Sequence, residues 1–407
     1  MKKRLLLIIL VVFTIFTLVG CKKEKNENEI TIWWPSGRVM ETIINEAIAE
    51  YKSTNPDVVI NVVNKPVDAF DAYKYALNDK RSCPDIAILD HVYVQALAHD
   101  KLLLNLSDMG SDEIKATYPE TVYSANCYNG KNYALPFSAN TVVLMYNKDI
   151  LSACGITKAP TTLAELLETC EIISGKGYTA FAQPQNSFSA MEFIAYVSRR
   201  GGKVVSDDYK TVLLNSKEVK EAVDDWKALS KYANQNSYEE DKFYTGKVAF
   251  VEMGSWALSK VTGSSARFDC GFTEMVTIDS EYDNYSGLGL YSLCIANSTE
   301  NKELAYDFAK FLSTNKKVQL SYNQEQNLFP VTKEALNDDY YQNDEALKVY
   351  ANQLQKVTPR PGTPVWPDLE QAIVNMLVEV VRTKDDYTGI IDKYQKNVQQ
   401  ATDRLLK

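Results

Sequence analysis

Three times along the chain, a short apolar run passes through a small or polar loop into a helical pattern. The first run is Ile30-Thr31-Ile32-Trp33-Trp34, followed by Pro35-Ser36-Gly37-Arg38. Beyond it, Met40, Ile43, Ile44, Ala47, Ile48 and Tyr51 recur at the spacing of one buried helix face, and Val58 to Val63 reads as the next strand. The second unit is Asp85 to Leu89, then Asp90-His91, then a helix through Leu97. The third is Val248 to Val251, then Gly254-Ser255-Trp256, then Ala257 to Val261. Strands alternating with helices predict α/β architecture with parallel sheets. In open α/β sheets, ligands sit outside the carboxyl ends of strands, so all three loops lie where a ligand would.

Other helices carry their own signals. Thr162-Leu163-Ala164-Glu165 is a capping box ahead of a stripe of Leu163, Leu166, Leu167 and Cys170. Asn301 to Leu312 places Ala305, Phe308, Ala309 and Leu312 on one face. Trp366-Pro367 precedes Asp368-Leu369-Glu370-Gln371, which reads as an Asx capping box before Ile373, Leu377 and Val380.

The N-terminus sets the compartment. Lys2, Lys3 and Arg4 precede an apolar run from Leu5 to Val19, shorter than the roughly 20 residues that span a bilayer. Leu18-Val19-Gly20-Cys21 follows, so residues 1–20 read as a secretory signal and Cys21 as an acylated new N-terminus. Lipid chains anchor by burying methylenes, and stable anchoring takes more than one chain. Residues 21–29 contain no apolar side chain beyond that cysteine and read as a flexible tether.

The remaining stretch of about 380 residues exceeds one compact core and suits two domains. The formal net charge is −9, and removing the leader with its three cations makes it more negative still. No basic tract follows residue 25, which argues against a nucleic-acid partner. An anionic small ligand stays open, since one arginine or helix terminus can hold it. Cys83, Cys127, Cys154, Cys170, Cys270 and Cys294 are widely spaced without a CxxC pair, so sequence assigns no disulfides. Two histidines and no clustered cysteines point to no metal and no cofactor. GxSxG, HExxH and GxxxxGK[ST] are all absent. Composition alone does not exclude a carboxylate pair for glycoside hydrolysis.

Four stretches together carry a family resemblance. They are Cys83-Pro84-Asp85-Ile86 with Leu97, Leu102 and Leu106; Tyr128 to Phe137 (YNGKNYALPF) running on through Asn140 to Tyr146-Asn147-Lys148; Phe243 to Phe250 (FYTGKVAF) with Gly254-Ser255-Trp256; and Asn301 to Ala305 through Phe311-Leu312. In order and spacing, from about Ile30 to the C-terminus, the chain resembles the extracellular solute-binding proteins of carbohydrate ABC importers, the maltose-binding-protein-like lipoproteins. That resemblance implies a two-lobed, type II periplasmic-binding-protein-like α/β fold with discontinuous lobes joined by a hinge. Lobe one would be 30–137 plus 274–326, and lobe two 138–273 plus 327–407. It implies a monomeric receptor, not an enzyme, anchored by lipid outside the cytoplasm. The receptor would capture a carbohydrate ligand between its lobes and deliver it to the ABC-importer permease subunits. Two alternatives remain open. One is a membrane-anchored glycoside hydrolase. The other is a receptor for a phosphorylated polyol held by Arg38 and the Gly254-Ser255 helix start.

A sugar site needs aromatic platforms for the apolar ring face and hydrogen-bonding groups for the hydroxyl belt. Trp256 matches a stacking aromatic of the family and is the leading candidate. Trp366, flanked by Pro364 and Pro367, matches a second such position or anchors the C-terminal helix. Trp33 and Trp34 alternate on the first strand, so one faces a core; Trp34, nearer the loop, is assigned to the ligand and Trp33 to the core. Ser36 and Arg38 sit at the first loop, where Arg38 either grips adjacent hydroxyls or is a solvated charge. Asp90 is a hydroxyl acceptor after the second strand, and His91 beside it reads as a surface residue. Asn140 lies at a lobe crossing, either as a polar contact or as a turn residue. Gln185 and Asn186 are weaker candidates in a polar loop.

Overall fold

The computed structural model describes residues 28–66, 70–78, 83–234, 238–384 and 386–406. The leader and Cys21 lie outside the described residues.

The chain forms two α/β lobes, each built on its own sheet. The first sheet contains β1 (Glu29–Trp34), β2 (Val59–Asn64), β3 (Ile86–Asp90), β4 (Ala134–Asn140), β9 (Ser286–Ile295) and β10 (Val357–Pro359). Its order is β2-β1-β3-β9, and β9 also pairs with β4 and β10. The second contains β5 (Val142–Asn147), β6 (Thr179–Ala182), β7 (Val248–Gly254) and β8 (Cys270–Thr273), in the order β8-β5-β7-β6.

The sheets are mixed rather than parallel, which corrects the expectation from element alternation. β1 pairs in parallel with β2 and β3, but β9 runs antiparallel to β3 and β4. In the second sheet only the β6–β7 pair is parallel. The reason is topological. β4 and β9 connect directly to strands of the other sheet, so no helical crossover returns them in the parallel sense.

Alternation along β1 sends Ile30, Ile32 and Trp34 to one face and Trp33 to the other. The Trp34 face is covered by α1 (Arg38–Thr54), α4 (Lys302–Thr314) and α5 (Lys316–Glu325). α1 buries Met40, Ile43, Ile44, Ala47 and Tyr51, the stripe its spacing predicts. Met40, Ile43 and Ile44 each contribute about 1.5–3 kcal/mol through burial, and the Ala47 methyl about 0.8 kcal/mol. On the opposite face, Trp33 packs edge-on to Tyr73 at 5.7 Å among Ala87, Leu89, Val94 and Leu97.

The second sheet is covered on one face by α2 (Leu163–Gly175), α3 (Ser187–Ser198), α6 (Trp366–Arg382) and α7 (Thr388–Leu405). The capping box at α2 forms as read, with Thr162 and Glu165 bonding reciprocally to each other's backbone N–H. The box at α6 does not. That helix begins at Trp366 with proline in its first turn, and Asp368 lies inside the turn instead of capping it.

The chain passes between the sheets at neighbouring places. Thr141, between β4 and β5, donates its hydroxyl to the Gly287 carbonyl at 3.0 Å. Val142 N–H donates to Ser286 Oγ at 3.2 Å, and Ser286 Oγ donates back to the Val142 carbonyl at 2.7 Å. A third passage runs from β10 through residues 360–365 into α6. These buried bonds hold the passages together where the lobes meet.

Candidate functional site

A cavity of about 700 Å³ opens beside these passages, within the size range of small-molecule sites. Both sheets contribute to it. Pro35 and Ser36 come from the end of β1, Asp90 from the end of β3, and Gly289, Leu290 and Tyr291 from β9. Asn140 ends β4, and Trp256 follows β7. Helix α3 adds Ser187, Phe188 and Met191, helix α5 adds Tyr322 and its C-cap Gln326, and the α6 region adds Arg360 and Glu370.

Two glycines let side chains settle on the backbone. A Cβ at Gly254 would stand 1.8 Å from the Trp256 ring, so only glycine allows that ring to fold back over the strand end. A Cβ at Gly289 would stand 2.0 Å from Asn140 Oδ1, so Asn140 lies directly against β9, its neighbour in the first sheet. Trp256 is partly buried and meets Phe188 edge-on, with ring centroids 5.9 Å apart and planes at 84°. The pair forms an aromatic corner built from β7 and α3.

Opposite charges meet at Asp90. Arg360 Nη2 donates to Asp90 Oδ1 at 2.8 Å and to Oδ2 at 2.6 Å. Val92 N–H donates to Oδ1 at 3.3 Å, which makes Asp90 the cap of a short 3₁₀ turn, His91–Tyr93. His91 Nδ1 lies 3.0 Å from Oδ1. Burial opposes ionisation of Asp90, but the Arg360 guanidinium and His91 outweigh it and hold the carboxyl well below the usual range. Burial also lowers the basicity of His91, which favours the neutral ring. Glu370 moves the other way: burial raises its carboxyl, with Arg360 partly opposing and Asp90 adding to the rise.

Of the residues singled out in the sequence, Ser36, Asp90, Asn140 and Trp256 all line this cavity. Three others do not. Trp34 is fully buried in the first lobe, edge-on to Phe137 and Tyr322, and its Nε1 donates to the Met40 carbonyl at 2.9 Å. Its strand is covered on both faces, so nearness to the loop does not bring the ring to the ligand side. Trp366 is equally buried, packed with Leu369, Ile373 and Met376 in the second lobe. It acts at one remove, since the Arg360 guanidinium sits 5.9 Å over its ring. Arg38 is exposed on the first turn of α1 and is not among the described lining residues. His91 is a buried residue, not a surface one. Asn140 belongs to a strand rather than a turn. Gln185 bonds the Asn234 carbonyl and Asn186 caps α3, so both serve local structure.

Sequence reasoning missed Arg360, Glu370, Phe188 and Met191. Arg360 stands between a strand and a helix in Pro359-Arg360-Pro361, the kind of loop already favoured as a ligand position. Helix α3 gave no signal, because every residue from Ser189 to Val197 is buried and no stripe stands out.

Residues 46–349 match the sequence profile of the bacterial extracellular solute-binding proteins. A maltotriose-binding protein of Pyrococcus abyssi is 26% identical over 390 residues, covering 92% of this chain and 83% of its own. A galactooligosaccharide-binding protein of Bacillus subtilis is 22% identical over 381 residues, covering 87% and 86%. Among solved structures, the cyclic α-maltosyl-1,6-maltose binding protein of Arthrobacter globiformis superposes with a TM-score of 0.81 at 21% identity, covering 92% of this chain and 99% of its own.

Proposed function

The chain belongs to the bacterial extracellular solute-binding proteins, which bind solutes and are not enzymes, and from that premise we propose that it captures a neutral oligosaccharide between its lobes for an ABC importer. The observation that carries the reading is the cavity wall. Aromatic Trp256, Phe188 and Tyr291 share it with polar Ser36, Asp90, Asn140 and Gln326, the pairing a ring face and a hydroxyl belt require. The relatives named for maltotriose and galactooligosaccharide support the same ligand class. A relative in Streptococcus pneumoniae named as a maltooligosaccharide ABC transporter solute-binding lipoprotein supports the importer partner.

In this reading, lobe one comprises 30–137 plus 274–326 and lobe two 138–273 plus 327–407, corrected in that Ser138–Asn140 and Val357–Pro359 pair into the first sheet and go with lobe one. The lobes close over the ligand. The protein works as a monomer, held to the membrane by lipid on Cys21. An intact mass from the native host without acyl groups on Cys21 would sink the anchoring proposal.

The phosphorylated-polyol alternative loses its two supports. Arg38 is not among the lining residues, and Ser255 opens only a three-residue 3₁₀ turn, its hydroxyl donated to the Asn327 carbonyl.

The test is calorimetric titration of residues 22–407 against neutral mono- and oligosaccharides, with the sugars analysed afterwards. One-to-one binding with the sugar recovered intact is expected. No binding across the panel, or cleavage of the bound sugar, would overturn the proposal.

A further inference from the structure

Accepting the sugar-binding reading above, we infer that Arg360 is a positioning and specificity residue: it fixes Asp90 as an acceptor for sugar hydroxyls and thereby leaves the cleft without a cation for an anionic sugar. Among the described residues lining the cavity, Arg360 is the only lysine or arginine. Its Nη2 is shared by both oxygens of Asp90, and the guanidinium itself lies over the Trp366 ring. The Asp90 carboxylate balances the guanidinium's charge, so Arg360 offers an incoming phosphate or carboxylate no uncompensated cation, although its buried Nε keeps a donor without a partner. The lining also carries Glu370, so its formal charge is never positive at neutral pH. A phosphorylated or uronic sugar would therefore meet like charge and lose hydration without gaining an uncompensated cation, a mismatch that weakens its binding.

The pair also spans a structural junction. Asp90 ends β3 in the first sheet, and Arg360 lies in the passage leading into α6. The contact joins residues 270 apart in sequence. It therefore sets both the direction and the ionisation of Asp90.

The groups facing Asp90 are few. His91 and the Val92 N–H come from its own turn, Tyr93 follows on that turn, Arg360 comes from the passage and Glu370 from α6. Only Arg360 is a fixed cation. Without it, burial is opposed only by His91 and the Val92 N–H, so the carboxyl rises from its depressed position. As pH falls through that raised value, Asp90 takes up a proton and loses an acceptor.

The experiment titrates residues 22–407, and the R360Q and R360K variants, with maltotriose and with maltotriose bearing a terminal 6-phosphate, from pH 7 to pH 5. The parent should bind the neutral sugar with less than about a twofold change across that range, and at least about tenfold more tightly than the phosphate. R360Q should lose about tenfold at pH 7 and fall severalfold further by pH 5. R360K keeps the charge and should restore the flat profile. Should R360Q fail to fold, the R360K profile and the parent's discrimination against phosphate still decide the matter. Neutral-sugar binding by the parent with an unchanged R360Q profile overturns this inference alone, as does equal affinity for the phosphate. A parent that binds neither sugar overturns this inference, while binding of other neutral sugars in the wider panel would leave the sugar-receptor reading standing.

Discussion

Replacing Trp256 by alanine is expected to weaken oligosaccharide binding by more than about tenfold while leaving the thermal unfolding midpoint close to the parent's. The ring is the largest aromatic surface that reaches the cavity, and the wall around it already supplies its geometry. Phe188 packs against it in a T-shaped pair, which steadies the ring. Gly254 beneath it admits the fold-back that turns the indole to the ligand side. Losing a stacking aromatic from a closed site costs about 2 kcal/mol or more, the scale of a binding hot spot, and each ~1.4 kcal/mol is a factor of ten in affinity. The fold should tolerate the change because Trp256 borders the cores instead of filling them. Trp256→Phe keeps a ring and should retain most of the affinity. Calorimetric titration of the three proteins with one confirmed sugar decides it, and parent-like binding by Trp256→Ala would remove the ring from the site.

Trp34→Ala should do the opposite, lowering stability by about 3–5 kcal/mol while leaving the Trp256 wall in place. Trp34 is fully buried against Phe137 and Tyr322, and its N–H satisfies the Met40 carbonyl in the first turn of α1. Truncation leaves a cavity in the centre of the first lobe and removes the indole hydrogen bond that ties β1 to α1, although the Met40 carbonyl keeps its partner within the helix. Urea unfolding followed by circular dichroism measures the effect as a fall in midpoint. A variant that unfolds with the parent but binds sugar poorly would return Trp34 to the ligand.

These two tryptophans mark what the chain discloses locally and what it withholds. The strand–loop–helix units around Trp34, Asp90 and Trp256 were legible because periodicity and small loop residues are local signals. So was the idea that their loops converge, and Ser36, Asp90, Asn140 and Trp256 do share one cavity. Alternation separated Trp33 from Trp34, but a strand buried on both faces gives no polar side to tell core from ligand. Trp366 was ambiguous for a similar reason: a proline-flanked ring before a helix reads as a loop tip until its packing is known. Strand direction was misjudged because alternation of strands and helices says nothing about chains that leave one sheet for the other. Arg360 could not have been paired with Asp90 from sequence, since the contact is long-range and depends on the third passage between lobes.

The most direct test of the central claim, that a sugar is held between two lobes, is small-angle X-ray scattering of residues 22–407 with and without a saturating, calorimetrically confirmed oligosaccharide. Lining residues come from both sheets, so a ligand touching all of them draws the lobes together, and it shifts that equilibrium only by preferring the closed state. A smaller radius of gyration in the saturated sample is the expected result, with the change abolished in Trp256→Ala at the same sugar concentration if that variant no longer binds. Identical scattering curves for the free and saturated parent would contradict the account.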